Sequence, residues 1–111
     1  MGSETIKIYI PIEKRQEQVV EEFIHTCLNN MDSVTVDTVK KYIKSNENKV
    51  VVNECTRIIC YGRLQLYKDV IKQAALNLMI KLDLNYLYLE INDIEELLGE
   101  NDIKFYVNRN C

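Results

Sequence analysis

The chain has 111 residues, 47% of them hydrophobic and 28% charged, with a formal net charge of −3. That length suits one domain with its own core, and so small a charge excludes a protein held to a polyanion by bulk electrostatics. Three Gly and one Pro exclude long linkers and low-complexity tracts.

In residues 5–12, Ile6, Ile8, Ile10 and Ile12 fall on one face at period two, with Thr5, Lys7 and Tyr9 on the other. This pattern predicts a half-buried strand that ends, or lies at a sheet edge, at Pro11. From 13 to 30 the period changes. Val19, Val20, Phe23, Ile24, Cys27 and Leu28 make a helical stripe, with Glu13, Glu17, Glu21 and Glu22 near the positive end of the helix dipole. Residues 33–45 are expected to form a second, shorter helix, capped by Thr35, with Val36, Val39 and Ile43 inward. Asn46-Glu47-Asn48 reads as a turn and Val50-Val51-Val52 as a short strand. Asn53 is expected to cap a third helix that runs to about Tyr61, where Gly62 breaks it. Leu66 to Leu82 is the strongest amphipathic segment, carried by Leu66, Val70, Ile71, Ala74, Leu78 and Leu82. After an apolar, Tyr-bearing stretch at 84–89, residues 93–99 read as a short helix capped by Asn92 and stopped by Gly99. Ile103, Phe105 and Val107 alternate as a closing strand. The expected fold is a single α+β domain over 1–111, with four to five helices packed on a short sheet of N- and C-terminal strands.

Four cysteines (Cys27, Cys55, Cys60, Cys111) sit among apolar residues, with no secretory leader pattern before them. That points to a reduced, intracellular protein, cytoplasmic or nuclear. No run of about 18 apolar residues exists, so no membrane span is expected. The abundance of Ile, Asn and Lys hints at an A/T-rich source genome, and so at a viral or parasite protein.

Motifs of chemistry are scarce. The cysteine spacings do not match a zinc site, and His25 and Cys27 point about 200° apart on a helix. No metal or cofactor is expected. His25 with Cys55 or Cys60 is the sole conceivable nucleophile pair, and one imidazole in the chain gives it little weight. The carboxylates of Glu90, Asp93, Glu95, Glu96, Glu100 and Asp102 alternate with Leu and Ile, as a solvated acidic face does. No catalytic residue is assigned.

Residues 53–106 resemble the BACK helical module of BTB/kelch-type proteins. The likeness is carried by Asn53-Glu54-Cys55, Leu64-Gln65-Leu66, Ala74-Ala75-Leu76 and the segment from Leu89 through Ile94, Leu97 and Leu98 to Asp102-Ile103. The resemblance implies a helical protein–protein interaction module.

The expected function is accordingly a non-enzymatic adaptor or accessory domain, binding a protein partner or itself. Seven Tyr and no Trp favour such a surface. Its candidate residues are Tyr61, Tyr67, Tyr86, Tyr88, Glu95 and Glu96. The alternative is a winged-helix-like nucleic-acid binder using residues 33–72, where eight basic residues face four acidic ones. Its candidate contacts are Lys40, Lys41, Lys44, Arg57 and Arg63.

Overall fold

The computed structural model describes residues 4–99, and for residues 64–66 the backbone alone. Strand β1 (Glu4–Pro11) is followed by a 3-10 turn at Ile12–Lys14 and helix α1 (Glu17–Leu28). Strands β2 (Ser33–Lys44) and β3 (Val50–Gly62) form a long hairpin. Helix α2 (Leu64–Lys81), β4 (Tyr86–Ile91) and β5 (Ile94–Gly99) complete the chain. All pairings are antiparallel, in the order β2-β3-β1-β4-β5. The βαββαβ order with β1 between β3 and β4 is the ferredoxin-like split βαβ, with β5 added beyond β4.

The Ile stripe of β1 explains this arrangement. Ile6, Ile8 and Ile10 are all buried beneath the helices. Each faces its register partners: Ile8, for example, lies beside Ile58 of β3 and Leu89 of β4. Val20, Phe23 and Cys27 of α1 and Ile71, Ala75, Leu76, Leu78 and Met79 of α2 close the core from above. The odd-numbered residues of β1 and β3 face away from the helices and form an open sheet face.

Several turns are locally determined. Helix α2 ends in a Schellman motif: Leu84 N–H donates to the Met79 carbonyl at 2.9 Å, Asp83 N–H to that of Ile80 at 3.1 Å, and Asp83 takes φ 55°. Asn92 and Asp93, at φ 52° and 68°, make the two-residue turn between β4 and β5, the Asn/Asp backbone of a type I′ hairpin.

The expected four to five helices on a short sheet are corrected to two helices on a five-stranded sheet. Residues 33–44 are strand, not helix. Val36, Val39 and Ile43 do fit a helical stripe, but Val34, Thr35, Val36, Thr38, Val39 and Ile43 are all β-branched, and such side chains favour the pleated surface. Residues 53–61 are strand as well. Adjacent Ile58 and Ile59 serve opposite faces, one buried and one half-buried. Residues 94–99 are a strand rather than the expected short helix. The helices that the BACK resemblance requires over 53–61 and 93–99 are therefore not formed, and that resemblance is withdrawn. The expected strand at 103–107 lies outside the described residues.

Gly62 is needed for packing rather than for ending a helix. A Cβ there would lie 2.9 Å from the Asp32 amide nitrogen and 3.1 Å from Met31 Cα. Those neighbours are backbone and hold the α1–β2 connection, where Asp32 N–H donates to the Tyr61 carbonyl at 2.8 Å. Gly62→Ala is expected to cost about 1–3 kcal/mol through this overpacking, read as a lower denaturant midpoint. A neutral result would show that the 31–32 connection is free to move.

Candidate functional site

The open face carries a belt of polar side chains across four strands. Asp37 on β2, Arg57 on β3, Tyr9 on β1 and Tyr88 on β4 occupy one row of the register. Period two places them on the same side. Arg57 donates from Nε and Nη2 to the two Asp37 oxygens, at 2.9 and 2.5 Å. The same guanidinium stands beside the Tyr9 phenol on the neighbouring strand and acts on it electrostatically. The Tyr9 hydroxyl in turn donates to Glu90 Oε1 at 2.7 Å. The belt thus sets carboxylate, guanidinium and phenol along one row, with the Glu90 carboxylate reached diagonally from Tyr9.

Each member's protonation follows from its neighbour. The Arg57 guanidinium holds the Asp37 carboxyl below its ordinary value. Asp37 in turn raises Arg57, which stays charged. Burial, and then the Glu90 carboxylate, push the Tyr9 phenol above its ordinary value, with Arg57 opposing. Tyr9 therefore keeps its proton and serves as a fixed donor to Glu90.

The face is curved. On a flat sheet the Cα atoms of Lys41 and Tyr88 would lie roughly 20 Å apart, three strand spacings across and four residues along. Yet Lys41 Nζ sits 5.4 Å from the centre of the Tyr88 ring. The β2–β3 ribbon therefore curls over the sheet, and Lys41 and Tyr88 form the two walls of a trough. Cys55, half-buried on β3, lies near Lys41 and Glu13. Burial, then Glu13, push its thiol up, against Lys41, so it is held as a neutral thiol and not as a nucleophile. Tyr86 and Tyr88, two residues apart on β4, meet edge to face at 6.2 Å and 88°.

The structure divides the candidate residues differently from the expectation. Tyr61, Tyr86, Tyr88 and Glu95 lie on the open face. Tyr67 is on the exposed side of α2. Glu96 is on the helix side, where it accepts from Lys72 Nζ at 2.7 Å. The six do not form one patch. The basic set is also split. Lys40 and Lys44 face one side of the ribbon and Lys41 the other, Arg57 is bound to Asp37, and Arg63 precedes α2. The segment 33–62 is an antiparallel hairpin, so the winged-helix alternative loses its helix-turn-helix and is withdrawn. His25 is exposed on α1, while Cys27 and Cys60 meet in the core. Their mutual hydrogen bond and burial raise the Cys27 thiol. Among the described residues no group of three His, Cys, Asp or Glu could hold a metal, and no helix is long and apolar enough to cross a membrane.

Tyr9 and Asp37 are not among the residues that the sequence marks as functional, and Glu90 stands there only within a solvated acidic face. Their signal is the period-two position opposite the Ile stripe, which separates Tyr9 from Ile8 and Ile10. It becomes informative only once β2 and β3 are known to be strands.

No family model and no curated protein matches this chain. Among solved structures it is similar to a phage SAM lyase in complex with S-methyl-5′-thioadenosine. The TM-score is 0.57 at 10% identity, over 89% of this chain and 89% of that one. At that identity the likeness establishes a shared fold. It bears no relation to a BTB/kelch architecture. The expectation of a non-enzymatic adaptor is also corrected: the helical docking module that carried it is not formed, and the structure that shares this fold is an enzyme.

Proposed function

We propose that this chain is a small enzyme of the SAM lyase kind, binding S-adenosylmethionine on the open sheet face and releasing S-methyl-5′-thioadenosine. The reading is carried by the likeness to the phage lyase along nearly the whole of both chains. The chemistry of the open face agrees with it. The substrate is a sulfonium, a cation with a diffuse charge, and Glu90 is a carboxylate held in place by Tyr9. Tyr86 and Tyr88 add aromatic surface of a kind suited to such cations and to nucleoside rings. In the reaction the carbon–sulfur bond breaks and its electron pair moves onto sulfur, which becomes a neutral thioether. The carbon that loses sulfur is closed by an electron pair from within the same molecule, so no external acceptor is needed.

The belt has a defined part in this scheme. Tyr9 holds Glu90 by a hydrogen bond, beside the Arg57–Asp37 pair on the neighbouring strands, so the carboxylate meets the incoming cation already oriented. An intracellular setting suits such a substrate, and it also suits the free thiols of Cys27, Cys55 and Cys60.

The test is direct. Purified protein is incubated with S-adenosylmethionine, and the mixture is analysed by liquid chromatography with mass spectrometry. The expected product is S-methyl-5′-thioadenosine, formed in proportion to enzyme and above the spontaneous background. Absence of turnover from a preparation with native circular dichroism overturns the proposal.

A further inference from the structure

We propose that Tyr86, Tyr88 and Glu90 form a cage for an organic cation, and that Lys41 is a built-in occupant which the ligand displaces. The inference rests on the open face being the substrate site, and it names the group recognised there: the sulfonium.

The geometry of β4 supplies the cage. Tyr86, Tyr88 and Glu90 alternate along one strand, so their side chains leave the same face. The two rings are perpendicular, with centroids 6.2 Å apart, and line the same stretch of the face. They are 57% and 44% exposed. Glu90 stands two residues further on, with Oε1 held by the Tyr9 hydroxyl. Among the described residues it forms no ion pair. Lys7, its register neighbour on β1, turns instead to Asp93, at 3.3 Å.

A cation already stands over one of the two rings. Lys41 Nζ stands 5.4 Å from the Tyr88 centroid, inside the ~6 Å reach of a cation–π contact. It arrives there from the far side of the sheet, because the ribbon curls. Aromatic faces beside a single carboxylate select a large, weakly hydrated cation over a hard metal ion, which asks for several oxygens. Sulfonium and quaternary ammonium groups are of this class. A depression of about 190 Å³ beside Tyr86, lined in part by Pro11, Leu84 and Asn85, leaves room for the rest of such a ligand. Because Lys41 repels a second cation as well as filling the space, its removal should strengthen binding.

The experiment uses the full chain and two probes. Tetramethylammonium chloride, against sodium chloride at equal ionic strength, reports the cage alone. S-adenosylmethionine reports the cage within the proposed site. Binding is followed by calorimetry and by the tyrosine ring signals in NMR. Tetramethylammonium is expected to shift the Tyr86 and Tyr88 signals and to compete with S-adenosylmethionine. Lys41→Met should tighten S-adenosylmethionine binding about two- to fivefold and Tyr88→Leu weaken it about five- to tenfold, as for a cation–π contact of moderate strength. Tyr88→Phe keeps the ring and should keep the affinity. Tyr61→Leu, elsewhere on the same face, should change nothing.

The outcomes separate the two claims. If tetramethylammonium binds and Tyr88→Leu abolishes it, while no nucleoside is cleaved, the cage stands and the lyase reading fails. If cleavage proceeds with KM unchanged in folded Tyr88→Leu and Tyr86→Leu proteins, the lyase reading stands and the cage is overturned. The cage is equally overturned if tetramethylammonium neither shifts the rings nor competes.

Discussion

Under the proposed function, Glu90→Gln is expected to weaken binding of S-adenosylmethionine by about 10- to 100-fold and to leave the affinity for S-methyl-5′-thioadenosine within about twofold. The two ligands differ at sulfur, cationic in one and neutral in the other, and in the aminocarboxypropyl arm that S-adenosylmethionine alone carries. That arm is a zwitterion without net charge, so the net charge that a carboxylate reads is the sulfonium's. An oriented carboxylate distinguishes them through charge. A unit charge about 4–5 Å away in a half-exposed site interacts by roughly 3–4 kcal/mol before screening, and a hydrogen bond or contact to a charged group nets about 1.5–3 kcal/mol. The amide is nearly isosteric, and its oxygen can still accept from the Tyr9 hydroxyl, so the belt survives the change. Calorimetry with both nucleosides decides the matter. Equal losses for both would mean that Glu90 supports the fold of the trough and does not face the cation.

The second large effect concerns stability. Ile8→Ala should cost about 2–5 kcal/mol, and Ile59→Ala under about 1.5 kcal/mol. Ile8 has 0% exposure on the central strand, between Ile58 and Leu89 and beneath both helices. Shortening it removes buried methyl groups and leaves a cavity that a strand held on both sides cannot collapse. Ile59 lies on the neighbouring strand but on the open face, and is half-buried. For a chain of this size the first change lowers Tm by about 10–20 °C, which a thermal melt reads easily. Matching losses at the two positions would mean that the open face is covered in solution as fully as the helix side.

How much of this was legible in the sequence depended on whether one period or two could explain a segment. The Ile stripe of β1 admits period two alone, and the run from Val70 to Leu82 admits only a helical one, so both elements could be read. Residues 33–44 satisfy both periods. Val36, Val39 and Ile43 suit a helix, and the density of β-branched residues, which decides for strand, carried less weight than spacing. In β3 and β5 the adjacent pairs Ile58-Ile59 and Leu97-Leu98 hid the alternation, because one member of each pair lies on the outer face. The site suffered from the same confusion. Tyr86, Tyr88, Lys41 and Arg57 were singled out, but for contacts with a protein or a nucleic acid. What joins them is register between β2, β3, β1 and β4, and a register cannot be drawn while two of those strands are taken for helices. Tyr9 and Glu90 stand 81 residues apart in the chain, and nothing local announces such a pair.

The central position of β1 has a consequence for synthesis. Its partners on one side are 55–62 and on the other 88–91. At roughly 5–20 residues per second on a ribosome, the second flank emerges several seconds after the first strand has been made. Through that interval the nascent polypeptide holds a sticky, half-mated isoleucine ridge, and the last wall of the trough, with Tyr88 and Glu90, arrives only at the close. Maturation of the site and sealing of that ridge are thus a single late event.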